Sequence, residues 1–139
     1  IKFWLKIVSK VSIMSSKKHD TVFSMTSHLP HLIAYNLVKT ATDFEKQQKY
    51  ELIKFCAGGL RDFTRIAASN EIMWRDIFFD NKKNIIKTIN LFIKNLVLFK
   101  KDIILKNKKS MIKKLTETKK IRKKIIRLKQ DVDKPDFGR

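Results

Sequence analysis

Residues 85–103 read IIKTINLFIKNLVLFKKDI, and this stretch decides the fold class. Apolar side chains recur in it at alternating spacings of four and three residues. The positions are Ile85, Ile89, Phe92, Leu96, Phe99 and Ile103. This spacing is typical of an α-helix that packs one apolar seam against another helix. The stretch therefore predicts a long helix with a helical partner.

The sequence on the carboxyl side predicts a second long helix. Polar residues 106–109 interrupt the pattern, and apolar residues then recur at spacings of three, six, four and three, with Lys or Arg over most of the rest. The positions are Ile112, Leu115, Ile121, Ile125 and Leu128. We expect this helix to fold back on the first, because the break between them is short.

The sequence on the amino side predicts further helices. Residues 19–40 carry apolar side chains three and four apart, and Pro30 should kink that helix. Residues 42–55 indicate a connector or short helix, and residues 60–67 about two helical turns. Ser69 or Asn70 can cap a helix that continues as one long helix through residue 103.

Composition supports an all-α fold. The 139 residues include three Gly and two Pro, far fewer than the turns of many short strands would need.

Residues 1–8 are too short an apolar run for a membrane span or signal peptide. A single cysteine, Cys56, cannot form an internal disulfide, so we expect a cytoplasmic protein.

The net charge of +19 leaves two interpretations open. The basic residues form either a solvated surface of biased composition or a functional face for nucleic acid or acidic lipid. Only six of the 32 are Arg, the residue that most specific phosphate and base recognition uses. We therefore do not expect a nucleic-acid partner, and a basic helical nucleic-acid-binding or interaction module is the alternative function.

Two polar clusters are candidates for chemistry. The three histidines lie within 13 residues, and His28 and His31 would share a helical face. Two ligands are too few for a metal site, so no metal is predicted.

Gly58 and Gly59 precede Arg61 and Arg65, which lie one helical turn apart and suit a carboxylate. An exposed Arg–Asp ladder through Asp62 is the competing interpretation.

Three segments in this order resemble prephenate and arogenate (cyclohexadienyl) dehydrogenases. They are HDTVFSMTSHLPH at 19–31, GGLRDFTRIA at 58–67 and MWRDI at 73–77. The resemblance implies a Rossmann domain followed by a helical dimerisation domain, with the active site between them. Residues 11–14 alternate apolar and polar side chains, and we interpret them as the last strand of a Rossmann domain that this chain lacks.

The resemblance also implies a domain division. Residues 1–16 would end a truncated nucleotide-binding domain, residues 17–130 would form the helical substrate-binding and dimerisation domain, and residues 131–139 a flexible tail. The family oxidises and decarboxylates prephenate or arogenate with NAD or NADP, in tyrosine biosynthesis. The phosphate loop and catalytic histidine would lie in the missing domain, so we expect a homodimeric fragment that binds substrate but is inactive alone.

Site residues follow by motif. Arg65 would bind the ring carboxylate of the substrate, and His31 would approach the substrate side chain. His19, Asp20, Ser27 and His28 would line the same cleft. Arg61, Asp62 and Trp74 would form a gating or dimer-spanning cluster. Ala57 departs from the family pattern, where a third glycine is common. The choices of prephenate or arogenate, and of NAD or NADP, stay open.

Overall fold

The structure, a computed structural model, describes residues 11–128. This part of the chain is helical and contains no strand, which confirms the all-α prediction. Residues 11–128 form six α-helices, α1 to α6. A π-helical turn and two 3₁₀ turns lie between some of them. The elements are α1 (Ser16–Phe23), a π-helical turn (Ser24–His28), α2 (Leu29–Gln48), a 3₁₀ turn (Leu52–Phe55), α3 (Gly58–Thr64), a 3₁₀ turn (Arg65–Ala68), α4 (Glu71–Asp80), α5 (Lys82–Ile104) and α6 (Lys108–Arg127).

The predicted strand at residues 11–14 is not formed. These residues have no regular structure, and helix α1 begins shortly after them with Ser15 as its N-cap. A strand is stabilised by hydrogen bonds to a neighbouring strand, and residues 11–128 provide none. The predicted end of a nucleotide-binding domain, residues 1–16, falls largely on residues 1–10, outside the described residues, as does the predicted tail at 131–139.

Helices α1 and α2 are joined through the π-helical turn. The Leu29 N–H donates to the Ser24 carbonyl, five residues earlier, so the helix is locally widened. Pro30 follows in the first turn of α2, where its missing N–H is best tolerated. The helix is therefore irregular directly before Pro30, where the sequence predicted a kink. Helix α2 continues to Gln48, beyond the predicted end near residue 40, and Lys49 ends it with a φ of 57°.

The segment from α3 to α4 lies along α2. The Tyr35 hydroxyl on α2 donates to the Ser69 carbonyl at 2.8 Å, which fixes the end of the second 3₁₀ turn. The side chain of Asn70 then accepts from the Met73 N–H at 2.8 Å, so Asn70 is the predicted N-cap of α4. The two helical turns predicted at residues 60–67 are confirmed.

The single long helix predicted through residue 103 is wrong at Asn81. Helix α4 ends at Asp80 and α5 begins at Lys82, because Asn81 has φ −97° and ψ 26°, outside the helical range. The Asn81 N–H still donates to the Ile77 carbonyl, and its own carbonyl accepts from Ile85. The backbone hydrogen bonds are therefore kept across the break.

Helices α5 and α6 form the predicted hairpin. Lys106 has a positive φ of 49° in the turn, and the Asn107 side chain caps α6 by accepting from the Ser110 N–H. Lys114 on α6 then donates to the buried carboxylate of Asp102 on α5. This ion pair holds the two helices together near the turn.

The apolar core lies where α2, α4 and α5 meet. Its buried side chains are Leu29, Ala34, Trp74 and Ile85. Many larger apolar residues of α5 and α6 remain exposed in this single chain. Among residues 11–128, none of the helices combines the length and apolar character that crossing a membrane requires.

Candidate functional site

Trp74 is the centre of the candidate site. Helix α4 buries this side chain, which is 6% exposed, against the start of α2. The His31 ring stacks on the indole, with centroids 3.7 Å apart and planes inclined by 21°. His28 approaches the same indole edge-on at 6.2 Å, and Phe78 lies 5.5 Å away. Two of the predicted histidines and the predicted tryptophan therefore form one cluster.

The His31 ring is also held by the backbone. Its Nδ1 atom lies 3.0 Å from the Ser27 carbonyl oxygen, one turn earlier. A carbonyl oxygen can only accept, so Nδ1 of His31 carries a proton and donates. Ser27 therefore contributes its main-chain carbonyl oxygen to the cluster.

Asn81 is a member of the site that the sequence analysis missed. Its Nδ2 atom donates to the Asp20 carbonyl at 2.7 Å and lies 3.3 Å from Nδ1 of His28. Its Oδ1 atom accepts from the amide of Asn84 at 2.7 Å. The sequence contained one signal for Asn81. It was predicted to lie inside a helix, although Asn is unfavourable in helix interiors and common at helix ends.

His19 and Asp20 lie at the exposed edge of the site. The His19 Nδ1 atom is 3.1 Å from the Asp20 carboxylate, and both side chains are about half exposed. Burial lowers the pKa of His28, and neighbouring His19 and His31 lower it further, whereas Asp20 opposes them. His28 is therefore neutral at physiological pH.

Arg61, Asp62 and Arg65 make no hydrogen bond, ion pair or cation–π contact with this cluster within residues 11–128. Arg61, Asp62 and Arg65 are exposed, and within residues 11–128 none of them makes a side-chain hydrogen bond or ion pair. Within residues 11–128 the Arg–Asp ladder is therefore not formed, and neither Arg61 nor Asp62 forms a hydrogen bond or cation–π contact with Trp74. A Cβ added at Gly59 would meet nothing within 4 Å, so packing against residues 11–128 does not require this glycine.

One buried polar atom of the cluster has no partner among residues 11–128. The Trp74 Nε1 atom is buried and makes no hydrogen bond within residues 11–128. Burying such a donor without an acceptor costs about 1–3 kcal/mol. The stacked aromatic rings and imidazole nitrogens of the cluster suit a ligand with an aromatic ring and hydrogen-bonding oxygen atoms. In the same residues no three His, Cys, Asp or Glu side chains could hold a metal together.

Comparison with known proteins decides the family. The family model described as "Prephenate dehydrogenase, dimerization domain" matches residues 15–120. The chain belongs to this family. The resemblance found in the three sequence motifs is thereby confirmed, and all three motifs lie within the matched residues of the dimerisation domain.

Curated relatives agree with this family. The cyclohexadienyl dehydrogenase of Zymomonas mobilis is 33% identical over 131 residues, which cover 94% of this chain and 44% of that protein. The prephenate dehydrogenase of Bacillus subtilis is 43% identical over 84 residues, which cover 60% of this chain and 22% of that protein. The chain thus spans less than half the length of these relatives.

Solved structures show the same domain. The prephenate dehydrogenase from Aquifex aeolicus, in complex with hydroxyphenyl propionate and NAD+, matches with a TM-score of 0.78 and 40% identity over 90% of this chain and 46% of that chain. The arogenate dehydrogenase from Synechocystis matches with a TM-score of 0.71 over 83% of this chain and 42% of that chain. Its 19% identity makes this a likeness of fold alone.

Proposed function

We propose that this chain is the substrate-binding and dimerisation part of a prephenate or arogenate dehydrogenase that uses NAD or NADP. The observation that carries the proposal is the cluster of His28, His31 and Trp74, which joins two of the family motifs on one aromatic surface. The reaction would oxidise the ring hydroxyl and release the ring carboxylate as carbon dioxide, giving hydroxyphenylpyruvate or tyrosine. A cytoplasmic location remains part of this proposal.

Arg65 is proposed to bind the ring carboxylate. Its guanidinium is exposed and has no partner within residues 11–128, so its hydrogen-bond donors are available to a ligand. Tyr35 lies one helical turn after His31 on α2, and its hydrogen bond to the Ser69 carbonyl fixes the end of the 3₁₀ turn that begins at Arg65. A planar guanidinium can hold a carboxylate through two parallel hydrogen bonds.

The proposed division of labour assigns hydride transfer to a nucleotide-binding domain outside this chain. The Aquifex enzyme was solved with NAD+, and its chain is about twice as long as the part matched here. The residues of this chain would bind and orient the substrate, and His19, Ser27 and Asp20 would line the cleft. Arg61, Asp62 and Trp74 are proposed to control access or to span the dimer. A complete reaction would then require both domains, so this chain alone would be inactive.

A homodimer is proposed from the surface of α5. The predicted seam accounts for one face of this helix, but further apolar residues point in the other directions and remain exposed. They include Leu91, Ile93, Val97 and Leu98. An exposed apolar surface of this extent marks an interaction site on a protein. Helix α6 covers only part of it, so a second copy of the chain is the partner that fits a family named for its dimerisation domain.

An assay of the full-length protein that carries this chain tests the proposal. Reduction of NAD and of NADP would be followed with prephenate and with arogenate, four combinations in all. At least one combination should give turnover that this chain alone lacks. The absence of turnover in all four, with a folded protein that binds nucleotide, would refute the assigned reaction. No finding favours the alternative of a basic nucleic-acid-binding module.

A further inference from the structure

The amide of Asn81 has one possible orientation. Its Nδ2 atom lies 2.7 Å from the main-chain carbonyl oxygen of Asp20, which can only accept a hydrogen bond. The amide atom at this position must therefore be the NH₂ group. Its Oδ1 atom then faces the amide of Asn84, which donates to it at 2.7 Å. The orientation follows without reference to the neighbouring histidine.

This orientation fixes the protonation of His28. The Asn81 NH₂ group has two donors and no acceptor, and its nitrogen lies 3.3 Å from Nδ1 of His28. Nδ1 must therefore accept, so it carries no proton. A neutral imidazole with a bare Nδ1 carries its proton on Nε2. Burial, which lowers the pKa of His28, favours the same neutral state.

The two imidazoles at Trp74 consequently differ. His31 is protonated on Nδ1 by its hydrogen bond to the Ser27 carbonyl, so its Nε2 is an acceptor whenever the ring is neutral. His28 has the opposite arrangement, with a donor at Nε2. This Nε2 atom makes no hydrogen bond within residues 11–128 and is not among the buried unpartnered atoms there. The donor is therefore open to a ligand.

We propose that Asn81 is a positioning residue of the site, which holds His28 as the neutral Nε2–H tautomer so that it donates a hydrogen bond to a carboxylate or carbonyl oxygen of the substrate. The donor role rests on the proposed function, whereas the tautomer does not. The break between α4 and α5 is consistent with this role, because Asn81 lies at the break and its side chain reaches Asp20 and His28. The groups that face His28 are His19, Asp20, His31 and Asn81.

Ring-nitrogen NMR of the ¹⁵N-histidine-labelled chain tests the tautomer. At slightly alkaline pH the spectrum should show His28 with a bare Nδ1 and a protonated Nε2. In Asn81→Asp the new carboxylate accepts rather than donates, so Nδ1 of His28 should become protonated and the pKa of His28 should rise above that of the wild type. The matched control is Asn84→Ala, which removes a partner of Asn81 but leaves its NH₂ group, and should keep the wild-type tautomer.

The wild-type spectrum alone can overturn the proposal, even if Asn81→Asp fails to fold. A His28 ring protonated on Nδ1 would overturn it, as would a folded Asn81→Asp variant with an unchanged tautomer and pKa. The donor role is tested by adding hydroxyphenyl propionate with NAD+ to the full-length protein, where the His28 Nε2 resonance should shift. A ligand that binds without moving this resonance overturns the donor role. No binding at all refutes the proposed function and leaves the tautomer result intact.

Discussion

His31 and Trp74 lie face to face, with ring centroids 3.7 Å apart, although 43 positions separate them in the sequence. His31 belongs to the start of α2 and Trp74 to the middle of α4. Their stacking both packs these two helices together and forms the aromatic surface of the candidate site. Stability and ligand binding should therefore depend on the same indole.

Replacing Trp74 should reveal this double role. Trp74→Ala should lower the free energy of unfolding by about 3–5 kcal/mol, because it removes a buried indole. Trp74→Phe should cost less than half as much, since it keeps a ring for His31 and removes the unpartnered Nε1 donor. Urea unfolding measures both values. Tyr50→Ala, at an exposed ring, is the control and should change stability by about 0.5 kcal/mol or less. Equal losses for the Phe and Ala variants would contradict this packing.

The lowered pKa of His28 predicts a stability that depends on pH. The unfolded chain protonates this ring near its ordinary pKa of 6.5, and the folded chain only at lower pH. The unfolded state therefore binds more protons as the pH falls through this window, and the free energy of unfolding should decrease. His28→Gln should remove part of this decrease. Because burial is the largest cause, the effect should persist at about 1 M salt. A stability that is equally pH-dependent with and without His28 would contradict the assignment.

The Asp102–Lys114 ion pair should stabilise the α5–α6 hairpin. Lys114→Met leaves the Asp102 carboxylate, which is 7% exposed, without its main cation, and this should lower the Tm. Lys113→Met is the matched control, because Lys113 is an exposed neighbour on the same helix. A double-mutant cycle with Asp102→Asn isolates the pair. Equal Tm changes for the two lysine variants would show that the pair contributes nothing.

A charge on the apolar surface of α5 should disrupt the proposed homodimer. Leu96 is 55% exposed in the single chain and belongs to the predicted seam. Sedimentation should show a dimer for the wild type at micromolar concentration and a monomer for Leu96→Glu. Gln47→Glu makes the same change in net charge at the exposed end of α2 and should remain dimeric. A wild-type monomer would refute the proposed dimer.

Much of the fold could be predicted because helical periodicity is a local property. The pattern around Ile85 predicted α5, and the basic stretch after residue 109 predicted α6 and the hairpin. The contacts of Asn81 at the break could not be read in this way, because its partners Asp20 and His28 lie 61 and 53 residues away. The strand predicted at residues 11–14 depends on a partner strand that residues 11–128 do not contain.

The site was predictable as a set of residues but not as an arrangement. Motif resemblance selected His28, His31 and Trp74, and the structure brings these three together. It does not bring Arg61 or Asp62 into contact with Trp74, and their role stays a prediction. Which imidazole nitrogen faces a ligand depends on the Ser27 carbonyl and the Asn81 amide, so only the folded chain contains this information.

Binding of the substrate by this helical domain is tested by the KM of Arg65→Ala in the full-length protein, with Arg127→Ala on α6 as the control. Loss of a charge-assisted hydrogen bond to a carboxylate, about 1.5–3 kcal/mol, should raise the KM for prephenate or arogenate roughly 10-fold to 100-fold. The control should leave KM unchanged. A KM that is also unchanged in a folded Arg65→Ala enzyme would contradict the claim that this helical domain binds the substrate's ring carboxylate.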